Sequence, residues 1–335
     1  MLKDLSVIVP IYNVDEYLEE CLRSIQEALV SGFSAEVICV NDGSQDRSCE
    51  IAESFAESDP RFVVITQPNG GYGKAINTGM RAATGEFVTI VESDDKITPD
   101  AYLRLIEILK RESRVDFVKT PYQPFTQDGP LAQMAVPPDA LKAADILAAP
   151  KGAIKPQRFT DNDLIFTPPA IWAGVYRRSS IRKHAITMPE TPGAGYQDTA
   201  FSALCFLSGM TFFWLDDRYY MYRVDRETAS RHVRNRKDEI VGIFRFVRRN
   251  LAGGKELASD EAVYFFATYF RRLIWFMDRV HPSHQFACFL DAYRCFEDVW
   301  EAPEMREKVR GLLPGHEKQR FDDFFQGRHR RLYSG

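Results

Sequence analysis

Phe87-Val88-Thr89-Ile90-Val91-Glu92-Ser93-Asp94-Asp95 is the stretch that decides how this chain is read. Phe87 to Val91 is an apolar run of strand length, and three carboxylates crowd into the four residues that follow it. Like charges that close raise one another's energy unless a cation lies between them. Side chains alternate along extended backbone, so Glu92 and Asp94 project to one side and Asp95 to the other. Glu92 and Asp94 then form a hard-oxygen pair of the kind that holds magnesium or manganese, which complete their shells with water and substrate phosphate. The same residues also fit a polar strand-to-helix turn in which an Asp caps the following helix.

Outward from this stretch, strands and helices alternate. Upstream, Leu5 to Pro10 is apolar except for Ser6, as expected of a strand buried on both faces of a parallel sheet. Tyr17, Leu18, Cys21, Leu22, Ile25 and Leu29 recur at helical spacing after Ile11-Tyr12-Asn13. A second strand, Ala35 to Val40, ends in Asn41-Asp42-Gly43-Ser44 and leads to a helix carrying Ile51, Ala52, Phe55 and Ala56. Strand Phe62 to Thr66, the glycine-rich turn Gly70-Gly71-Tyr72-Gly73 and helix Lys74 to Ala83 complete the approach. Downstream, Thr98 as N-cap and Pro99 at the first position predict a helix to Arg111, followed by strand Phe117 to Thr120.

This alternation predicts an α/β fold with a mixed, mostly parallel sheet flanked by helices. Polar and small residues gather where its strands end, and ligands of open α/β sheets bind outside those carboxyl ends. Tyr12-Asn13, Asn41-Asp42, Gly70 to Lys74 and Glu92 to Asp95 are therefore expected to line one crevice, which favours the metal reading of the acidic turn.

From Pro121 to Pro169 the alternation breaks down, with one short helix near Pro138 to Ala148, and this stretch of about 121–169 reads as an insertion. Order resumes at Ala170-Ile171-Trp172-Ala173-Gly174-Val175-Tyr176-Arg177. Pro192-Gly193-Ala194-Gly195-Tyr196-Gln197-Asp198 then runs into an apolar helix, followed by strands Thr211 to Leu215 and Tyr219 to Tyr222. Beyond about Asn235 only helices are expected: one through Ile240 to Val247, an aromatic one over Val263 to Met277, and Phe286 to Val299, before a basic tail from Gly327. The aromatic run is most simply core between packed helices, with a lipid or partner contact as the alternative.

The 335 residues and 45% hydrophobic content allow a substantial core, and a net charge of -4 gives no global sign of nucleic-acid binding. Between Arg218 and Lys255, however, eleven Lys or Arg face four acids. That segment is either a solvated face or a surface for phosphates or anionic lipid. The six cysteines include no Cys-x-x-Cys pair and read as reduced thiols. With no signal peptide and no apolar run near the roughly 20 residues that span a bilayer, the expected location is the cytoplasm.

Taken together, Val9-Pro10-Ile11-Tyr12-Asn13, Val40-Asn41-Asp42-Gly43-Ser44-Gln45-Asp46, Gly71 to Gly79, Ala83-Thr84-Gly85-Glu86-Phe87 and Glu92-Ser93-Asp94-Asp95 resemble family 2 glycosyltransferases of the GT-A fold. The likeness covers roughly residues 5 to 225 and rests on the order and spacing of the motifs. It implies a catalytic domain over 1–230, with a nucleotide-sugar half (1–120) and an acceptor half (165–230), then a helical region over 231–335. Pro10, Tyr12 and Asn13 match the turn that contacts the nucleotide base, and Asp42 the aspartate that hydrogen-bonds it. Gly71, Gly73 and Lys74 match a loop beside the nucleotide, where missing side chains permit close approach and an ammonium meets a phosphate. Glu92-Ser93-Asp94 stands for the family's Asp-x-Asp, Asp94 being the metal ligand and Glu92 the ribose or metal partner, with Ser93 between them. Asp95 supports the metal site or caps the next helix. Asp198 matches the catalytic aspartate, and Trp172, Tyr196, Gln197 and Arg223 fall on the acceptor side.

Two departures accompany the resemblance. Glu92 reaches one methylene further than the usual aspartate, and Ile76 stands where many members carry arginine, leaving Lys74 as the available cation. The Val-Glu-Ser-Asp-Asp variant is similar to that of bacterial transferases building lipopolysaccharide, capsule or exopolysaccharide. The implied function is inverting, metal-dependent sugar transfer from a nucleotide sugar, most often UDP-linked, to a glycan or lipid-linked saccharide. The competing readings are transfer of a nucleotidyl or glycerophosphoryl group on the same fold, and a non-catalytic sugar-nucleotide-binding protein. No Gln-x-x-Arg-Trp element accompanies the motifs, which argues against a processive synthase. The basic approach Arg231 to Lys237 is the candidate for peripheral contact with the inner membrane.

Overall fold

Leu5–Ile11 forms β1, buried along its whole length because sheet neighbours and helices cover both of its faces. A computed structural model describes residues 3–29, 32–132, 141–155, 170–226, 239–251, 260–277, 290–291, 293–294 and 302–325 of the chain. The basic approach Arg231 to Lys237, the start of the helix expected near Pro138, most of Phe286 to Val299 and the tail from Gly327 lie outside the described residues.

After β1 come α1 (Asp15–Ala28), β2 (Ala35–Asn41), α2 (Ser48–Ser58), β3 (Phe62–Thr66), α3 (Tyr72–Ala82) and β4 (Phe87–Ile90). They are followed by β5 (Lys96–Ile97), α4 (Leu103–Arg111), β6 (Phe117–Lys119), β7 (Tyr122–Thr126), β8 (Gly129–Pro130) and α5 (Ala143–Ala148). Next are β9 (Gly174–Arg177), α6 (Arg178–Lys183), α7 (Gln197–Leu207), β10 (Phe212–Trp214) and β11 (Tyr220–Arg223). The principal sheet has the order β10-β6-β9-β4-β1-β2-β3 and is parallel except for β9, which runs against both β4 and β6. This is the mixed, mostly parallel sheet that the strand–helix alternation predicts.

Register brings the strand ends to one edge. Ile11 pairs with Asn41, Asn41 with Thr66, and Ile8 with Ile90. The Val91 amide continues the ladder onto the Ile8 carbonyl at 2.9 Å, and the Asp42 amide onto the Ile11 carbonyl at 2.9 Å. Tyr12-Asn13, Asp42 and the acidic turn therefore leave the sheet on the same side.

A second sheet, ordered β5-β11-β7-β8, corrects two expectations. Tyr122–Thr126 is a strand paired in parallel with Tyr220–Arg223, so the first part of the supposed insertion belongs to the sheet that backs the acidic turn. Pro124 and Gln123 obscured it, yet β11 supplies a partner that no local pattern announces. The helix expected from Pro99 begins at Leu103. Lys96–Ile97 is drawn into pairing with β11, and the Thr98 amide is used by the Tyr219 carbonyl at 2.8 Å, so the chain turns once more before the helix starts.

By its internal contacts the chain divides into two compact units, Met1–Arg158 with Pro169–Glu227, and Phe159–Pro168 with Thr228–Gly335. The second unit contains α8 (Glu239–Leu251), α9 (Asp260–Met277), α10 (Pro303–Leu312) and α11 (Gly315–Phe325). The aromatic run of α9 is core: Phe265, Phe266, Tyr269 and Phe270 are each at most 1% exposed, and Phe244 meets Tyr269 edge-on at 4.2 Å. Among the described residues no helix is long and apolar enough to cross a membrane.

Candidate active site

The acidic turn keeps the alternation of a strand although it leaves the sheet: Glu92 and Asp94 are half-buried, Ser93 and Asp95 buried. Asp95 faces inward, accepting the Tyr220 hydroxyl at 2.7 Å and the Arg223 amide at 2.7 Å. Burial first, and the Asp94 charge second, hold its carboxyl well above the ordinary carboxylate range. Since both oxygens are engaged with β11 and the next helix begins eight residues on, Asp95 caps no helix.

Glu92 accepts a very short hydrogen bond from the Tyr72 hydroxyl, and its amide donates to the Tyr220 hydroxyl at 3.0 Å. Burial pushes the Glu92 carboxyl up to about 8; Asp94 and Asp198 add to the rise, while Tyr72 and Arg226 oppose it. Asp94 lies at the rim with its Oδ2 2.9 Å from Arg226 Nη1, and Arg226 Nη2 reaches the Asn13 carbonyl at 3.3 Å. One guanidinium thus bridges the acidic turn and the end of β1.

Among the described residues no three His, Cys, Asp or Glu converge as a ready-made metal cage. What is present is one rim carboxylate, Asp94, beside a second, Glu92, whose ionisation is resisted by its surroundings. Such a donor set fits a hard divalent cation bound through one or two carboxylates, with phosphate and water filling the rest of its shell.

Asp42, 3% exposed, organises the glycine-rich turn. Its carboxylate accepts Gln67 Nε2 at 2.7 Å, the Gly70 amide at 3.0 Å and the Gly71 amide at 2.8 Å. Asn13 holds a left-handed φ of 47° and accepts the Gln45 amide at 2.8 Å, while Tyr12 beside it is 48% exposed. Pro10 is buried within β1.

The glycines of this turn make room for another part of the chain. Gly71 adopts φ 88°, and a Cβ there would overlap the Thr191 carbonyl; a Cβ on Gly73 would overlap the Pro189 carbonyl. The Tyr72 amide donates to the Gly193 carbonyl at 3.0 Å. Asn77 completes the contact from α3, donating to the Met188 carbonyl at 2.9 Å and to Glu190 at 3.0 Å while accepting the Met188 amide at 2.9 Å. Segment 188–195 is therefore clamped to α3 on one side and feeds α7, with Asp198 in its first turn, on the other.

Tyr196, immediately before α7, sits at φ 62°, a conformation that costs a residue with a Cβ about 1 kcal/mol. Gln197 is 1% exposed and knits the segment together, donating to Thr191 Oγ1 at 2.8 Å and accepting the Gly195 amide. It uses both donor and acceptor ends of its amide, which a glutamate could not do. Asp198 is half-buried, accepts the Thr199 amide at 2.7 Å, and its charge acts on Glu92 and Tyr72. An anion there is favoured by the N-terminal end of the helix dipole.

A glycosyl transferase family 2 profile matches residues 6–182, from β1 through α6, and so includes the acidic turn, the glycine-rich turn and both strands beside β4. The chain belongs to glycosyl transferase family 2. It is 32% identical over 223 residues to an uncharacterized glycosyltransferase, EpsJ, of Bacillus subtilis, covering 67% of this chain and 62% of that protein. It is 26% identical over 228 residues to the poly(ribitol-phosphate) beta-glucosyltransferase of Bacillus spizizenii, covering 67% of this chain and 32% of that protein. The chain thus spans less than two thirds of the length of these curated relatives. The crystal structure of S. aureus TarS 1-349 in complex with UDP-GlcNAc superposes with a TM-score of 0.71 at 19% identity, over 98% of this chain and 91% of that one, a likeness of fold.

In this family 2 domain the acceptor-side candidates separate. Trp172 stacks on Tyr222 at 5.0 Å and on Tyr220 at 4.3 Å, and Tyr220 in turn bonds Asp95 and Glu92, so Trp172 is one ring from the acidic turn. Arg223 lies behind that turn: its Nε donates to the Asp94 carbonyl at 2.8 Å, its guanidinium stacks on Tyr17 and Phe125, and Nη2 reaches Glu20. Lys74, in the first turn of α3, has its aliphatic stem against Gly70. Tyr72, Tyr220, Asn77 and Arg226 were not among the candidates. For Tyr72 the signal was a bulky residue kept between two glycines; the other three are long-range partners without a local pattern.

Proposed function

We propose that this family 2 domain transfers a sugar from a UDP-linked donor to a hydroxyl of a cell-surface glycan or a lipid-linked saccharide, with inversion at the anomeric carbon. The observation that carries the reading is that the glycine-rich turn joins both sides: Tyr72 bonds the Glu92 carboxyl and its amide holds the Gly193 carbonyl of the segment that leads into α7, where Asp198 lies in the first turn. The TarS structure with bound UDP-GlcNAc and the glucosyltransferase name of a relative support the donor and acceptor classes.

In this mechanism exposed Tyr12 and Asn13 receive the base, while Asp42 shapes the Gly70–Gly71 backbone beside it. Asp94 and Glu92 would hold magnesium or manganese, which supplies positive charge against the diphosphate as it leaves. Tyr72 fixes the Glu92 carboxyl. Asp198 accepts the proton of the acceptor hydroxyl, and the oxygen it frees attacks the face opposite the leaving group, so a single displacement inverts the centre. Trp172 and Tyr196 border the acceptor side. Peripheral membrane contact through the basic approach remains part of the proposal.

A thermal-shift panel of UDP-, GDP-, dTDP- and CDP-sugars with and without manganese tests the donor, since a ligand binding only the folded state raises apparent stability. A manganese-dependent shift confined to UDP-sugars is expected; shifts by another nucleotide alone would replace the donor. Asp198→Asn is expected to abolish transfer while donor binding persists, and normal turnover in that variant would remove Asp198 as the base.

A further inference from the structure

Val224 and Asp225 are pinned to the β7 side where β11 ends. The Val224 amide extends the ladder onto the Phe125 carbonyl at 2.9 Å, and the Asp225 carboxylate accepts the Gln127 amide at 2.6 Å. Arg226 therefore leaves from a fixed point. Its side chain packs against α1, with Cζ 5.9 Å from the centre of the Tyr17 ring. Beyond that ring the guanidinium forks, Nη1 to Asp94 Oδ2 at 2.9 Å and Nη2 to the Asn13 carbonyl at 3.3 Å. A planar fork suits this two-point grip, which the point charge of an ammonium would not reproduce.

The other cations around the acidic turn are engaged with other carboxylates. Arg223 pairs with Glu20 and Asp225 and meets Asp94 through its backbone carbonyl. Lys96 takes the remaining oxygen of Glu20 at 2.6 Å, and Arg47 pairs with Asp15 at 3.6 Å. Among the described residues Arg226 is thus the cation on the Asp94 carboxylate. Both side chains keep a rim position, 18% and 21% exposed, so water is at hand for each when they separate. A guanidinium and a divalent cation cannot crowd onto the same carboxylate oxygen, because like charges that close repel strongly. Whatever favours one partner of Asp94 therefore disfavours the other by the same free energy.

We propose that Arg226 is the resident counterion of Asp94, a latch from the end of β11 to the end of β1 that a divalent cation must displace, so that Arg226 sets how tightly the acidic turn binds metal. The assignment rests on the reading of Asp94 as the metal ligand. It makes bare metal a weak ligand of the unloaded protein. It also ties the metal position to the Asn13 turn, since the base side and the phosphate side of the crevice share one guanidinium.

Manganese titration of the full chain without nucleotide, followed by the paramagnetic resonance signal of the free ion, tests it with no turnover required. Arg226→Gln is expected to tighten manganese binding about twofold to fivefold, the range an exposed ion pair is worth in an equilibrium. Arg47→Gln, which removes an arginine paired with Asp15 instead, is expected to leave the affinity unchanged. Equal or weaker binding in Arg226→Gln, the same gain in Arg47→Gln, or no binding in either wild type or Arg226→Gln overturns the proposal. Should Arg226→Gln fail to fold, Arg226→Met, which keeps an unbranched stem beside Tyr17, takes its place under the same criteria. Asp94→Asn keeps the two readings apart. Manganese binding that survives Asp94→Asn removes Asp94 as the ligand, whereas binding that needs Asp94 and ignores Arg226 removes only the counterion role.

Discussion

Asn77 grips Met188 from both directions, donating Nδ2 to its carbonyl at 2.9 Å and accepting its amide on Oδ1 at 2.9 Å. This two-way contact fastens the segment leading to Asp198 onto the helix behind the glycine-rich turn. Asn77→Ala leaves buried backbone groups of Met188 unsatisfied and is expected to cost about 2–3 kcal/mol. Urea denaturation measures the loss, and kcat is expected to fall more than donor affinity because the segment that leads to Asp198, the proposed base, is displaced while the proposed base-binding residues Tyr12 and Asn13 are untouched.

Gly73→Ala tests the same joint by crowding. The added Cβ meets the Pro189 carbonyl, a backbone atom that cannot swing aside, and overpacking of this kind costs about 1–3 kcal/mol. Gly242 in α8 has open space around its would-be Cβ, so Gly242→Ala is expected to raise stability by about 0.5–1 kcal/mol through helix propensity. Opposite signs in one denaturation series would separate close approach from chain flexibility.

Glu92 makes stability depend on pH in a stated direction. Burial pushes its folded carboxyl up to about 8 from the ordinary 4.5, so between those values the folded state holds a proton that the unfolded state has released. The stabilising contribution is complete below about pH 4.5 and is lost as pH rises through 8. Wild-type stability relative to Glu92→Gln is expected to fall between pH 5 and 9, and manganese is expected to recover part of it at the alkaline end. A difference that stays level across that range would show that Glu92 titrates normally.

Arg223→Lys keeps the charge and loses the fork. The guanidinium is buried, stacked 4.7 Å from the Tyr17 ring centre and 4.6 Å from that of Phe125, and Nε holds the Asp94 carbonyl at 2.8 Å. An ammonium can replace neither the stacking nor the paired donors, so a loss of about 2 kcal/mol is expected in denaturant titration.

The strands, the helices and the side of the sheet on which they open were legible because apolar runs and helical spacing are local properties. Leu5–Ile11 and Ala35–Asn41 could be placed from six or seven residues each. The alternation of Glu92 and Asp94 against Ser93 and Asp95 was legible for the same reason. Tyr122–Thr126 was not, since a strand carrying Pro124 is stabilised by its partner Tyr220–Arg223, about a hundred residues away. The helix start was misread where a cap signal at Thr98 and Pro99 lost to pairing of Lys96–Ile97 with β11.

The sequence alone determined the family, the alternating strands and helices from β1 to β4 and the carboxylates available for chemistry, because these depend on residue type and spacing. The tertiary structure decided what each polar group holds: Asp42 the glycine turn, Gln197 the segment before α7, Tyr72 the Glu92 carboxyl, and Arg226 the junction of Asp94 with Asn13. Hydrogen bonds and buried charges join residues far apart in the chain, and their partners exist only once packing has excluded water.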